Sequence, residues 1–178
     1  MESKVVFDKN TVEFVTVAAE YCSFIADCAD KNRSQFLEVL PKLLSLLYLK
    51  ASMIPEVQPQ ELYLEESVTE NEYESIREML SRKLGEYDDY LEVFVEDMKY
   101  SDTPVTKTIS EDLCDIYQAL RNFIENYRSG LSDVMEEAVA VCSEEFRNYW
   151  GQVLANTLRA VHCVRYGQSD DEGEEELW

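Results

Sequence analysis

SEDLCDIYQALRNFIENYRSGLSDVMEEAVAVCSEEFRNYWGQVLANTLRAVHCVRYG, residues Ser110–Gly167, sets the architecture. In its first part Leu113, Tyr117, Leu120, Ile124 and Tyr127 fall three or four residues apart, the spacing of one helix face. Glu111 and Asp112 occupy the first turn, where the helix dipole favours negative charge. Gly130 then permits a reversal. From Ser132 a second apolar series (Met135, Val139, Cys142, Phe146, Trp150, Val153, Leu158, Val161) keeps the helical period to Tyr166, and Gly167 ends it. Together they predict an antiparallel pair whose C-terminal helix far exceeds the usual three or four turns.

Outward from this pair the chain is helical again. Thr11 to Ala29 carries Val12, Val15, Ala19, Cys22 and Ala26 at helical spacing behind an Asn10…Glu13 cap signature. Ser34 to Ser52 is a second helix in which Pro41 predicts a kink or a later start near Leu40, and Pro55 and Pro59 open a loop after it. Thr69 with Glu72 caps a short third helix that Gly85 stops. Between residues 86 and 109 the period changes to two: Leu91, Val93 and Val95 alternate with Glu92, Phe94 and Glu96, which predicts an extended arm, with Pro104–Ile109 as its partner strand. An isolated hairpin is marginal in water, so the arm must lie on the helices. The expected fold is all-α: an antiparallel bundle of about five helices with one long C-terminal helix and a short extended arm. Residues 1–168 form a single helical domain, and residues 169–178 form an acidic disordered tail.

The composition excludes more functions than it suggests. Among 178 residues, 37 are acidic and 16 basic, for a net charge of −21. Six of the acids lie in residues 169–178, so the other 168 residues still carry −15 and the acidity belongs mainly to the body. Such a field repels phosphate backbones and anionic lipid, which predicts neither nucleic-acid nor membrane attachment. No secretion signal opens the chain, and five cysteines without a C-x-x-C pair read as reduced, small hydrophobes in a cytoplasmic protein.

The common catalytic signatures are missing: no G-x-S-x-G, no phosphate-binding glycine loop, no H-E-x-x-H. A single histidine excludes multi-histidine metal sites, and no cofactor is expected. Carboxylates at helical spacing (Glu111, Asp112 and Asp115; Glu136, Glu137, Glu144 and Glu145) are what chance supplies in so acidic a chain. Gly151, costly inside a helix, marks close approach of another helix or room for a ligand. Arg159 and His162 follow on the same face one turn apart, and level-counting from Gly130 sets Asp112 beside Asn148. The carboxylates within reach of Arg159 and His162 then belong to the arm: Asp88, Asp89, Glu92, Glu96, Asp97 and Asp102. The expectation is an Arg159/His162–carboxylate network under the arm, as an ion pair pinning it or as a ligand site.

Two segments resemble a known family. Ser110-Glu111-Asp112-Leu113-Cys114-Asp115-Ile116-Tyr117, then Trp150-Gly151 and Leu158-Arg159-Ala160-Val161-His162, with the extended Tyr90–Phe94 before them, are similar to an uncharacterised bacterial family of about this length, a domain of unknown function. The chain departs from that pattern at Tyr149, where the family pattern has histidine, and at Val161, where it has leucine; the first change removes any two-histidine metal site. The resemblance implies an all-helical cytosolic protein and no particular activity.

The favoured function is an interaction or regulatory module that presents an acidic surface to a basic protein partner. The alternative is a metal- or small-molecule-dependent enzyme with a polar cluster of Asp112, Asp115, Tyr117, Trp150, Arg159 and His162. A second alternative is an acidic DNA-mimic inhibitor.

Overall fold

The computed structural model describes residues 4–92 and 104–167. Six helical segments follow one another: α1 (Lys9–Ala26), α2 (Arg33–Ser52), α3 (Glu70–Leu84), α4 (Ile109–Tyr127), α5 (Ser132–Glu145) and α6 (Gly151–Tyr166). Two strands, β1 (Asp89–Glu92) and β2 (Val105–Thr108), lie between α3 and α4. The all-helical bundle expected from periodicity is present. Val93, Val95, Phe94, Glu96, Asp97 and Asp102 of the arm and the tail at 169–178 lie outside the described residues.

Local chemistry explains the boundaries. Asp8, not Asn10, caps α1 by accepting from the Asn10 amide at 2.9 Å, so the helix starts two residues before Thr11. Asn32 and Gln35 cap α2 reciprocally. Thr69 caps α3 as its pattern predicts, and Gly85 ends it at φ +59°. Thr108 caps α4, through the Glu111 amide at 3.3 Å.

Pro41 stands inside one unbroken α2, neither breaking it nor delaying its start. Its missing N–H would orphan the Leu37 carbonyl, and Arg165 of α6 donates to that oxygen at 2.8 Å. The proline defect is thereby converted into an α2–α6 tie. Arg165→Leu is expected to cost about 1–2 kcal/mol by urea unfolding, the price of an unsatisfied carbonyl, and clearly less in a Pro41→Ala background that restores the N–H.

The C-terminal helix runs from Ser132 to Tyr166, but five residues, Phe146–Trp150, form a π-helical turn between α5 and α6. Trp150 is wholly buried there, its ring centroid 4.8 Å from Phe146 and 6.3 Å from Phe14, and its indole N–H donates to the Cys142 carbonyl at 3.2 Å. Gly151 serves this turn. A Cβ at that position would stand 2.4 Å from the Phe146 carbonyl oxygen and 2.8 Å from its ring. The glycine therefore accommodates neither another helix nor a ligand but the fifth residue back in its own helix.

β1 and β2 pair antiparallel with Tyr90 opposite Lys107 and Asp89 opposite Thr108. The hairpin is stitched to the start of α4 by Asp88, whose carboxylate accepts from the Ser110 amide at 2.8 Å and the Ser110 hydroxyl at 2.7 Å. Residues 54–68 form an extended strap across α4 and α5. Its amides are taken by side chains: Gln60 N–H by Glu137 at 2.6 Å, Glu65 N–H by Asn126 at 3.1 Å, and Ser67 and Val68 N–H by Asn122 at 2.7 and 3.1 Å. Backbone outside regular structure must find such partners when it is covered.

Candidate functional site

α4 organises the polar chemistry. Asp112 and Asp115, one turn apart, point into two different environments.

Asp112 is fully buried. One carboxylate oxygen accepts from the Tyr90 hydroxyl at 2.5 Å and the Thr157 hydroxyl at 3.1 Å. The other sits 3.2 Å from the Lys107 ammonium, a charge contact without hydrogen-bond alignment. Lys107 also lies 3.8 Å from Glu92, which accepts from the Asn156 amide at 2.8 Å. Burial pushes the Asp112 carboxyl above the usual carboxylate range, against the opposing pull of Tyr90, Lys107 and Thr157. The antiparallel register explains the cluster: Tyr90 and Lys107 are cross-strand partners on one face, and both reach the same carboxylate. This is a structural anchor that ties both strands of the hairpin to α4 through one buried carboxylate.

Asp115 faces outward into a groove. Its two oxygens accept from the Tyr73 hydroxyl at 2.6 Å and the Tyr149 hydroxyl at 2.7 Å. The groove has a volume of about 580 Å³ and runs between α4 and α5 under the strap. Leu64, Ala119, Phe123, Ala138, Val141 and Cys142 give it apolar walls, and Glu65, Glu66, Asp115 and Glu145 give it acids; among the described residues no lysine, arginine or histidine lines it. Glu145 is exposed along one edge, but partial desolvation on the groove wall, reinforced by neighbouring Glu144, raises its carboxyl above the ordinary value.

The six residues read from the sequence do not form one site. Asp112 and Asp115 share α4 as expected. Tyr117 is buried and donates to Glu72 at 2.7 Å, and Trp150 belongs to the core. Arg159 and His162 are exposed, and among the described residues neither meets a carboxylate. Arg159 lines a separate cleft of about 220 Å³ with Asp89, Tyr90, Leu91 and Glu92, while His162 packs on Tyr166 at 4.8 Å between ring centroids. The arm is pinned by an ion pair, but the pair is Lys107–Asp112. Level-counting failed because Asp112 meets Thr157 rather than the Asn148 level. The π turn, closed by i→i+5 bonds, takes up only about one extra residue, a small part of the nine that separate Asn148 from Thr157.

The carboxylate sets at metal-like spacing disperse. Glu111 is exposed, Glu137 is buried and holds the strap, and Glu145 lines the groove. Among the described residues no three histidine, cysteine or acidic side chains converge as a metal site. Four thiols are buried, and burial pushes Cys22 and Cys114 up to about 12; Cys163, expected to pack as a small hydrophobe, is exposed on α6 instead. Lys107, Tyr90, Thr157 and the groove acids Glu65 and Glu66 escaped the sequence reading. The signal available for the first two was the alternation that predicted the hairpin, which puts residues 90 and 107 on a common face.

These features define an all-helical protein with a pinned two-stranded hairpin and an acid-lined groove beside its α4. The chain belongs to the family of the domain of unknown function DUF5063, which it matches over residues 5–167. It is similar to the crystal structure of protein BF1032 from Bacteroides fragilis, a structural-genomics target, at 43% sequence identity and a TM-score of 0.82, over 93% of this chain and 98% of that one. No curated protein matches it. Among the described residues no helix is long and apolar enough to cross a membrane.

Proposed function

We propose that this protein is a cytoplasmic interaction module that seats a lysine- or arginine-bearing segment of a basic protein partner in the groove between α4 and α5. The observation that carries this reading is the pairing, in one concave site, of apolar walls with four carboxylates and, among the described residues, no basic side chain. A cationic side chain has both a hydrocarbon stem and a charged head, and such a groove suits both parts. The Asp115 carboxylate is held in place by two phenols, so the acceptor is pre-oriented at no further entropic cost. Basic partners are also the ones that a chain of −21 steers toward itself.

The test is binding of a defined lysine-rich peptide. The triple variant Glu65→Gln/Glu66→Gln/Glu145→Gln is expected to weaken binding at least tenfold. A control triple on exposed helix faces, Glu38→Gln/Glu78→Gln/Glu111→Gln, changes net charge equally and is expected to weaken it less than about threefold. Equal losses would mean that the groove plays no special part. Ionised Glu145 attracts a cation and protonated Glu145 does not. Because its carboxyl is raised, affinity is expected to grow as pH climbs through that raised value, and the triple variant should lose this dependence.

A further inference from the structure

Where acids outnumber bases 37 to 16, a cation finds a carboxylate easily, and Lys9, Lys50, Arg77 and Lys107 each meet one. Arg33 and Arg165 do not. Both line a cavity of about 650 Å³ between the start of α2 and the end of α6, and among the described residues no carboxylate pairs with either. Each guanidinium is fixed in place without being used up. Arg33 donates to the Leu84 carbonyl at 3.4 Å and lies 4.6 Å from the centroid of the Tyr87 ring. Arg165 donates to the Leu37 carbonyl at 2.8 Å and lies 5.2 Å from the centroid of the Tyr166 ring. One backbone oxygen and one ring orient each fork, and its other N–H groups are left for an acceptor from outside.

We infer that this cavity binds the phosphate group of a small phosphorylated molecule. Two fixed guanidiniums match a dianion in charge and present it with planar, paired donors. Ser34 adds a hydroxyl to the same lining, and the dipole of α2, which begins there, has the same sign. Glu38 also lines the cavity, but it is exposed and lies 3.9 Å from Lys42, which offsets its charge. Leu37, Val164 and the Tyr166 ring supply apolar surface for the body that carries the phosphate. The charge of the whole chain limits the size of the ligand. A nucleic acid or an anionic membrane would bring its many phosphates against the rest of a −21 surface, whereas a small ester meets only the local field of the two arginines.

Titration of the ¹⁵N-labelled full chain with phenyl phosphate at constant ionic strength tests this. Amide shifts are expected at Arg33, Ser34, Val164 and Arg165, with a Kd on the order of 1 mM, the scale that a ligand of this size reaches. Inorganic phosphate lacks the apolar body, and benzenesulfonate has the same body with a single charge; each is expected to bind at least about fivefold more weakly. Arg33→Gln is expected to weaken phenyl phosphate at least about fivefold, and Arg165→Lys, which keeps a donor for the Leu37 carbonyl, at least about threefold, both with unchanged helical circular dichroism. Arg159→Gln removes the same charge from α6 outside this cavity and is expected to change the affinity less than about twofold. Unmoved amides at these four positions, inorganic phosphate or benzenesulfonate binding as tightly as phenyl phosphate, an Arg33→Gln chain that binds unchanged, or an equal loss in Arg159→Gln would overturn the proposal.

Discussion

Gly151→Ala is expected to destabilise the protein by about 2 kcal/mol, although helix propensity alone would make alanine about 1 kcal/mol better at a helical position. The added methyl would sit 2.4 Å from a backbone oxygen that belongs to the same π turn, and 2.8 Å from two ring carbons of Phe146. A ring can rotate away, but the carbonyl can retreat only if the turn itself rearranges. That turn also sets Trp150 into the core against Phe14. Urea unfolding followed by far-UV circular dichroism gives the loss, and the near-UV tryptophan band should change with it. Equal or greater stability would show that the turn can adopt ordinary α geometry without cost.

The second large effect belongs to Asp112. Asp112→Ala leaves the Tyr90 hydroxyl and the Lys107 ammonium without their shared acceptor, while Thr157 keeps the Val153 carbonyl at 2.8 Å, and is expected to cost about 3 kcal/mol, the scale of a broken buried pair. Amide exchange should accelerate first in residues 89–92 and 105–108, because the lost contacts are those that hold the hairpin to α4 and α6. Asp112→Asn should cost much less. It keeps the shape and an acceptor oxygen while removing a charge whose burial is unfavourable. The pH dependence has a definite sign. A carboxyl raised in the folded state binds its proton more tightly folded than unfolded. Its contribution to stability is therefore greatest below the ordinary aspartate range and declines as pH rises to the folded value. Asp112→Asn should remove that decline.

The parts of this molecule legible in its sequence are those governed by local period. The stripe from Leu113 to Tyr127, the Thr69…Glu72 cap and the alternation around Leu91 each depend on neighbours within a turn or two, and each element is present. The cap of α1 lies two residues before its sequence signature because Asp8 takes an orphan amide that belongs to Asn10 itself, so the helix is already under way where Asn10 would have capped it. Pro41 is a defect legible in the sequence, but the later helix start it predicts does not occur, and its remedy, Arg165, lies 124 positions away. Gly151 was noticed for its cost, but the Phe146 carbonyl that requires it is visible only once the π turn exists.

The site was harder to read for the same reason. Asp112 and Asp115 look alike in the sequence, one turn apart on one helix. What separates them is the hairpin laid over the first and the strap laid beside the second. Arg159 and His162 drew attention as cations on an acidic helix, yet the pairing cation came from β2, where strand register and not helix phase brings Lys107 to Asp112. Glu65 and Glu66 had no pattern to mark them. They line the groove because Asn122 and Asn126 hold the strap by its backbone.

A titration of the ¹⁵N-labelled protein with the lysine-rich peptide at low salt, followed by amide chemical shifts, tests the groove most directly. Shifts concentrated at Glu65, Ala119, Asn122, Val141 and Tyr149, and abolished by Glu65→Gln/Glu66→Gln/Glu145→Gln, are the expected result. Shifts spread evenly over the exposed acids of α3 and α5, with the groove amides unmoved, would contradict it.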